Sequence, residues 1–260
     1  MGALLEVKGM NKFFGGVQAV ADMSFSMERG ELMGLIGPNG AGKTTIFNLI
    51  TGVYPLSSGT VHFLDQDITN GKTYDIVKKG IARTFQNLRL FGASTVLDNV
   101  MTACQQHYPY SFLEAITHLG RWSKLERAIR EKSMELLERV ELAREAHRAA
   151  GTLPYGHQRR LEIARALALQ PELLLLDEPA AGMNPDEVMA LNELIKKIHS
   201  DFKLTILVIE HHMELVMEIC PHILCMNFGA KIAEGDPDHI QGHREVLKAY
   251  LGDEEEEASA

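Results

Sequence analysis

Gly37, Pro38, Asn39, Gly40, Ala41, Gly42, Lys43, Thr44 and Thr45 form the stretch with the most explicit chemistry in this chain. Their spacing is Gly, four residues, then Gly-Lys-Thr, the pattern of a loop that cradles phosphates. Gly37, Gly40 and Gly42 lack a Cβ, so the backbone can take positive φ and close around an anion with successive N–H groups turned inward. A helix starting near Lys43 adds the positive end of its dipole, equivalent to about half an elementary charge. In such a loop the Lys43 ammonium reaches β- and γ-phosphates, and the Thr44 hydroxyl ligates Mg²⁺.

A second constellation lies far along the chain, where Leu173 to Leu176 lead into Asp177 and Glu178. Four leucines suit a parallel strand covered on both faces, and open α/β sheets bind ligands at the carboxyl ends of their strands. Two carboxylates entering a core unpaired would be costly. A strand end facing Mg²⁺ and phosphate removes that cost. Asp177 suits Mg²⁺, held through water, and Glu178 suits orienting the attacking water, since phosphoryl transfer needs positioning and charge stabilisation more than covalent chemistry.

Other residues are ambiguous by type alone. Gln86 follows the run Ile81 to Phe85 and, taken singly, reads as a surface residue. Phe13 and Phe14 suit either the core or a ring stacked on a nucleotide base, a contact worth roughly 1–3 kcal/mol. His211 follows Thr205–Ile209 and suits a structural or a catalytic role; the pair His211-His212 raises metal binding, which no further ligand at suitable spacing supports.

The elements that must position these residues follow from patterning. Glu31 to Ile36 reads as a buried strand entering the glycine loop, and Ile46 to Ile50 as an apolar helix leaving it, with Gly52 as its stop. Leu4 to Val7 and Met23 to Met27 alternate as half-buried strands, and Gly59 to Phe63 reads as another. Lys124 to Ala150 is long, charged and amphipathic, with Leu125, Ile129, Leu136, Leu137 and Val140 on one helical stripe. Leu161 to Leu169 reads as a helix stopped by Pro171, and Pro185 to His199 as another, with Leu191, Leu194, Ile195 and Ile198 inward. Ile223 to Met226 and Lys231 to Glu234 suggest a closing hairpin around Asn227-Phe228-Gly229. Strands alternating with helices imply an α/β fold with a mostly parallel sheet and helices on both faces.

Bulk properties narrow the class. At 260 residues and 45% hydrophobic composition, the chain suits one large α/β domain with a subdomain. Of the net charge of -9, five negatives come from Asp253 and Glu254 to Glu257, which read as a disordered acidic tail over 253–260. No cluster of Lys and Arg marks a nucleic-acid binder. Cys104, Cys220 and Cys225 show no metal-type spacing and no even disulfide set, and read as buried thiols in a reducing compartment. The start, Met1 to Glu6, lacks the basic region and apolar run of a signal peptide, and Glu6 stands where myristoylation wants Ser or Thr. No run of 18 apolar residues is long enough to span a membrane.

In order and spacing these motifs resemble, over nearly the whole chain, the ATP-binding subunits of ABC transporters. That resemblance implies a P-loop NTPase core with an antiparallel β subdomain and a helical subdomain inserted at about 88–165, the ATP-binding domain covering 1–252. It implies Gln86 as the lid glutamine that approaches Mg²⁺, Phe14 (less firmly Phe13) as the base-stacking aromatic, and His211 as the switch histidine. Leu153, Pro154, Tyr155, Gly156, His157 and Gln158 match the signature that faces an ATP bound by another subunit, and Ala181, Gly182, Met183 and Asn184 match the D-loop. More narrowly, Arg83 to Phe91, Glu178 to Pro185 and Val246 to Gly252 resemble the branched-chain amino acid importers of the LivG type. The resemblance implies a peripheral protein on the cytoplasmic face of the membrane. Its implied partners are a second ATP-binding subunit, two transmembrane permeases and an external substrate-binding protein. Leu88, Leu90 and Phe91 are candidate permease contacts or ordinary core.

Three departures stand out. Pro154 replaces the signature Ser, which removes a hydroxyl and an N–H, and Tyr155 replaces a Gly; Asn184 replaces the D-loop Asp. They imply unequal ATP sites in the assembled transporter. Rival readings are a urea or short-amide importer, a lipopolysaccharide-export ATPase and, in another class, a soluble ABC ATPase acting on nucleic acid or the ribosome.

Overall fold

The computed structural model describes residues 2–108, 122–211 and 213–257, without the side chains of 251–257. His212 of the paired histidines lies outside the described residues. Two sheets form the frame. The first is antiparallel, in the order β2 (Val17–Met27), β1 (Leu5–Phe14), β4 (Ser58–Phe63), β5 (Gln66–Asp67). The second runs β10 (Ala230–Gly235), β9 (His222–Asn227), β3 (Leu32–Ile36), β8 (Thr205–Ile209), β7 (Leu173–Asp177), β6 (Ile81–Arg83), all parallel except β10.

The leucine run of β7 shows why this sheet is apolar throughout. Leu173 and Leu175 enter the core shared with the antiparallel sheet and with α1 (Lys43–Ile50), whereas Leu174 and Leu176 enter the core under the helices of the opposite face. Alternation along a strand sends successive side chains to opposite faces, so a strand covered on both sides must be apolar at every position. Ile206 and Val208 of β8 face one core and Leu207 and Ile209 the other, in the same manner.

The strands expected from alternation are longer in the structure: β1 and β2 form a hairpin across Gly15-Gly16, and β1 carries register shifts between Val7 and Phe13. The helix expected over 124–150 is shorter. The helix α4 (Trp122–Arg139) ends before Glu141, which takes φ +63, and two 3-10 turns carry the chain on to Thr152. Ile129, Leu136 and Leu137 are buried on its inner stripe and Val140 just beyond it, in the core that also holds α3 (Val96–Cys104) and α5 (Tyr155–Leu167), whereas Ile76 of α2 (Thr73–Lys78) enters the other core. The C-terminal helix runs Arg244–Glu257, so Asp253 to Glu257 are helical where composition implies disorder. Glutamate is a good helix former, and one glycine costs only about 1 kcal/mol inside a helix, so Gly252 does not stop it. The three cysteines are buried and unpaired. Among the described residues, no helix is long and apolar enough to cross a membrane.

Candidate active site

The loop between β3 and α1 builds the site. Gly37, Gly40 and Gly42 all take positive φ, and Gly42, at φ +103, caps the helix from its N-terminal side. The helix then starts at Lys43, which puts its free N–H groups at the loop. Asn39, Gly40, Ala41, Gly42, Lys43, Thr44 and Thr45 line a cavity of about 220 Å³, joined by Ala19 from β2 and by Glu178. Residues 134 positions apart in sequence thus meet because β7 ends beside β8, itself the neighbour of β3. Lys43 is 5% exposed. Its ammonium donates to the carbonyls of Gly37 and Pro38, the latter at 3.0 Å. Burial pulls its pKa down, against the carboxylates of Glu178, Glu210 and Asp177.

Asp177 and Glu178 part company at the end of β7. Asp177 stays in the strand, paired with Ile209, and its Oδ2 accepts from Arg83 Nη2 at 2.6 Å. Burial raises its pKa, with the Arg83 guanidinium opposing. Its Oδ1 is buried without a hydrogen-bond partner. Glu178 turns out of the strand with φ +45, a left-handed conformation unusual for a residue with a Cβ. Two bonds hold that turn: Glu178 N–H donates to the Ile209 carbonyl and Ala180 N–H to Glu210 Oε1, each at 2.9 Å. Gln86 Nε2 donates to Glu178 Oε2 at 2.8 Å.

The orphaned Oδ1 of Asp177 is an acceptor that a hydrated cation would satisfy. Together with the Thr44 hydroxyl beside the cavity it fits Mg²⁺ held mainly by phosphate and water. No cluster of three His, Cys, Asp or Glu able to hold a metal occurs among the described residues.

The remaining sequence expectations fall around this centre. His211 sits after β8, 35% exposed, with Nδ1 at 3.8 Å from Glu210 Oε2. Phe14 and Phe13 are exposed rather than core; Phe14 packs edge-on to Tyr54 at the tip of the hairpin, 5.2 Å between centroids. Neither lines the phosphate cavity. The signature residues also lie outside it. Leu153 is buried, Pro154 caps α5 without a side-chain bond, and Gln158 Nε2 donates to the Leu153 carbonyl at 2.9 Å. His157 Nδ1 lies 2.8 Å from Glu145 Oε1. Gly156 packs so closely on Glu187 that a Cβ would stand 3.0 Å from Oε1. The Ala181-Gly182-Met183 turn ends at Asn184, whose side chain accepts from Glu187 N–H and caps α6 (Pro185–Phe202).

Arg83, Glu210 and Arg159 are the residues that reading by motif passes over. Arg83 is visible only as a cation at the end of a strand that the fold sets beside β7, and Glu210 only as an acid at the end of an apolar strand.

A glycine loop holding a buried lysine, with a strand-end Glu lining the same cavity and an Asp preceding it, defines a P-loop nucleotide site. The ABC transporter family model matches residues 20–181, and the model described as the branched-chain amino acid ATP-binding cassette transporter matches 230–256. The chain is 44% identical over 250 residues to the high-affinity branched-chain amino acid transport ATP-binding protein BraF of Pseudomonas aeruginosa, covering 96% of this chain and 98% of that protein. It is 41% identical to LivG of Escherichia coli over the same share of both chains. Its fold matches the crystal structure of the ADP conformation of an ATP-binding cassette of an ABC transporter with a TM-score of 0.84 and 31% identity, over 97% of this chain and all of that one. A nucleotide-free cassette matches with a TM-score of 0.82 and 30% identity, over 96% of this chain and 99% of that one. The chain therefore belongs to the ATP-binding subunits of ABC transporters, a family of ATPases.

Proposed function

We propose that this chain is the ATP-hydrolysing motor of an importer for branched-chain amino acids. The observation that carries the motor reading is the one cavity shared by Lys43, Thr44 and Glu178, with Gln86 on the Glu178 carboxylate. The substrate class rests on the names of the relatives and on the C-terminal match at 230–256.

In this reading the N–H groups of the loop and the Lys43 ammonium bind the β- and γ-phosphates. Thr44, with Asp177 and Gln86 acting through water, would hold Mg²⁺, which would supply charge neutralisation for the transferring phosphoryl group. Glu178 orients the attacking water, and His211 completes the γ-phosphate contacts. Two such domains meet head to tail, so that each ATP lies between one phosphate loop and the opposing Leu153 to Gln158 signature. ATP closes the pair, hydrolysis releases it, and the motion passes to two permeases. A groove of about 290 Å³ lined by Phe85, Arg89, Phe91 and Arg165 suits the permease helix. Phe91 is half exposed there, whereas Leu90 packs against the core. An external binding protein would deliver the amino acid, and the site of work is the cytoplasmic membrane face.

Replacing Glu178 with Gln removes the carboxylate and keeps the shape. Steady-state ATPase should fall at least 100-fold with ATP binding retained; undiminished turnover would sink the role of Glu178. Reconstitution with the permeases and binding protein should give ATP-dependent uptake of leucine, and uptake of urea in its place would overturn the substrate.

A further inference from the structure

The signature turn and the lid glutamine of this chain are wired together by one buried side chain. Arg159, one turn into α5, is 2% exposed. Its Nη1 donates to the Phe85 carbonyl at 2.9 Å, and its Nη2 to the Gln86 carbonyl at 2.6 Å and to Tyr155 Oη at 2.7 Å. Glu162, one turn on, completes the tie: Oε1 accepts from Phe85 N–H at 3.3 Å and Oε2 lies 3.4 Å from Arg159 Nη1. The guanidinium serves two carbonyls and a hydroxyl from one rigid planar fork, which fixes their relative positions as the freely rotating donors of an ammonium do not.

Both ends of this arrangement reach functional groups. On one side the Gln86 side chain donates to Glu178 Oε2 at 2.8 Å. On the other, the Tyr155 ring lies over Gly182, where an added Cβ would stand 3.5 Å from Cε1, and the same ring takes the Arg159 guanidinium at 5.2 Å from its centroid. Tyr155 is the residue that departs from the glycine of the general signature, and the structure gives it a task that a glycine has no atoms to perform.

We propose that Tyr155 and Arg159 are positioning residues that hold the 85–86 backbone so that Gln86 meets the Glu178 carboxylate, tying the signature turn to the hydrolytic centre of the same subunit. The proposal rests on the reading of Glu178 as the group that orients water. Neither residue lines the phosphate cavity of its own subunit, and Tyr155 belongs to the signature that faces the partner's ATP in that reading. Their effect passes through the contact of Gln86 with Glu178, so it falls on turnover before ATP affinity. The signature faces the partner's ATP in that reading, so the relay would let one site's occupancy bear on the other's Gln86.

The test uses the full chain with MgATP, measuring steady-state kcat, KM and thermal midpoint. Arg159→Met should lower kcat about 10- to 100-fold, the range that misplacing a reacting group costs, with KM for ATP within about twofold of wild type. Tyr155→Phe removes only the hydroxyl, from a residue 40% exposed. It should fold normally and lower kcat by a smaller factor in the same direction. In a Gln86→Ala background the Arg159 and Tyr155 substitutions should cost little more, since residues acting through one group are not additive. Full additivity with Gln86→Ala, a loss carried by KM, or wild-type turnover of Tyr155→Phe would overturn the relay. Should Arg159→Met fail to fold, the Tyr155→Phe and Gln86→Ala cycle decides alone. Glu178→Gln run alongside separates the two claims: its retained turnover would remove the reading of Glu178, whereas its inactivity beside an unimpaired Arg159→Met would remove only the relay.

Discussion

Glu210 Oε1 accepts the backbone N–H of Ala180 at 2.9 Å, so the end of β8 grips the turn that carries Glu178. The carboxyl is 0% exposed, and its Oε2 is buried without a hydrogen-bond partner. Burial pushes its pKa to about 7, with the Glu178 charge adding to the rise and the Ala180 N–H, the His211 backbone and the Arg159 guanidinium opposing it. The folded state therefore holds a proton that the unfolded chain releases near pH 4.5. Between those values the native state binds more protons, so stability is greatest at the acid end of the window and falls as pH rises through about 7. The effect is on the order of 3 kcal/mol at most. Thermal midpoints of wild type and Glu210→Gln should diverge from pH 5 to pH 8, the wild type losing ground. Parallel curves would refute the buried acid.

Arg83 and Asp177 form a buried pair, with side chains 7% and 1% exposed. Removing one member of such a pair leaves a charge without compensation and costs roughly 3–5 kcal/mol. Arg83→Met should lower stability by about that amount in urea unfolding, and the double substitution with Asp177→Asn should recover part of it. Arg83 Nη1 also donates to Asn48 Oδ1 at 2.7 Å, so the guanidinium joins the Asp to the end of the phosphate-loop helix. A cost below 1 kcal/mol for Arg83→Met would show the pair to be structurally idle.

Much of this site is legible in the chain because its parts are local. The glycine loop is one contiguous stretch whose backbone requirements only glycine meets, and β7 announces itself as four leucines because its two faces enter two cores. What escapes is whatever depends on pairing between strands. Arg83 means nothing until β6 lies beside β7, and Arg159 reads as one more charge on a basic helix until the chain folds it under Gln86. Phe14 shows the converse: the residue type leaves core and surface open, and only the hairpin tip decides for exposure. The acidic end misleads because net charge describes solvation, while the backbone there follows helix propensity.

Asn184 has a local task that Asn and Asp perform equally. Its side chain accepts from Glu187 N–H at 3.0 Å while Glu187 Oε2 accepts from Asn184 N–H at 3.1 Å, a capping box at the start of a helix of 18 residues, with Pro185 in its first turn. Asn and Asp cap about equally well, whereas Ala costs about 1 kcal/mol. Asn184→Asp should unfold at the same denaturant midpoint as wild type, and Asn184→Ala at a clearly lower one. Equal midpoints for all three would mean that the cap contributes nothing.

Gly42 joins the chemistry of the loop to its packing. At φ +103 a side chain is strained, and a Cβ there would stand 2.5 Å from the Ala19 carbonyl oxygen, a backbone atom that cannot swing away. Ala19 lies on β2 and lines the same cavity, so the clash would push the antiparallel sheet off the phosphate loop. Gly42→Ala should lose both stability, by roughly 1–3 kcal/mol from the backbone conformation alone, and ATP binding, since the N–H groups that follow Gly42 would no longer converge. Gly40 is the control: it also takes positive φ, at +78, but a Cβ there meets nothing within 4 Å. Gly40→Ala should therefore carry the conformational cost alone and bind ATP better than Gly42→Ala, as read by nucleotide-dependent shifts in thermal midpoint. If the two variants bind ATP alike, the contact with Ala19 does not shape the site.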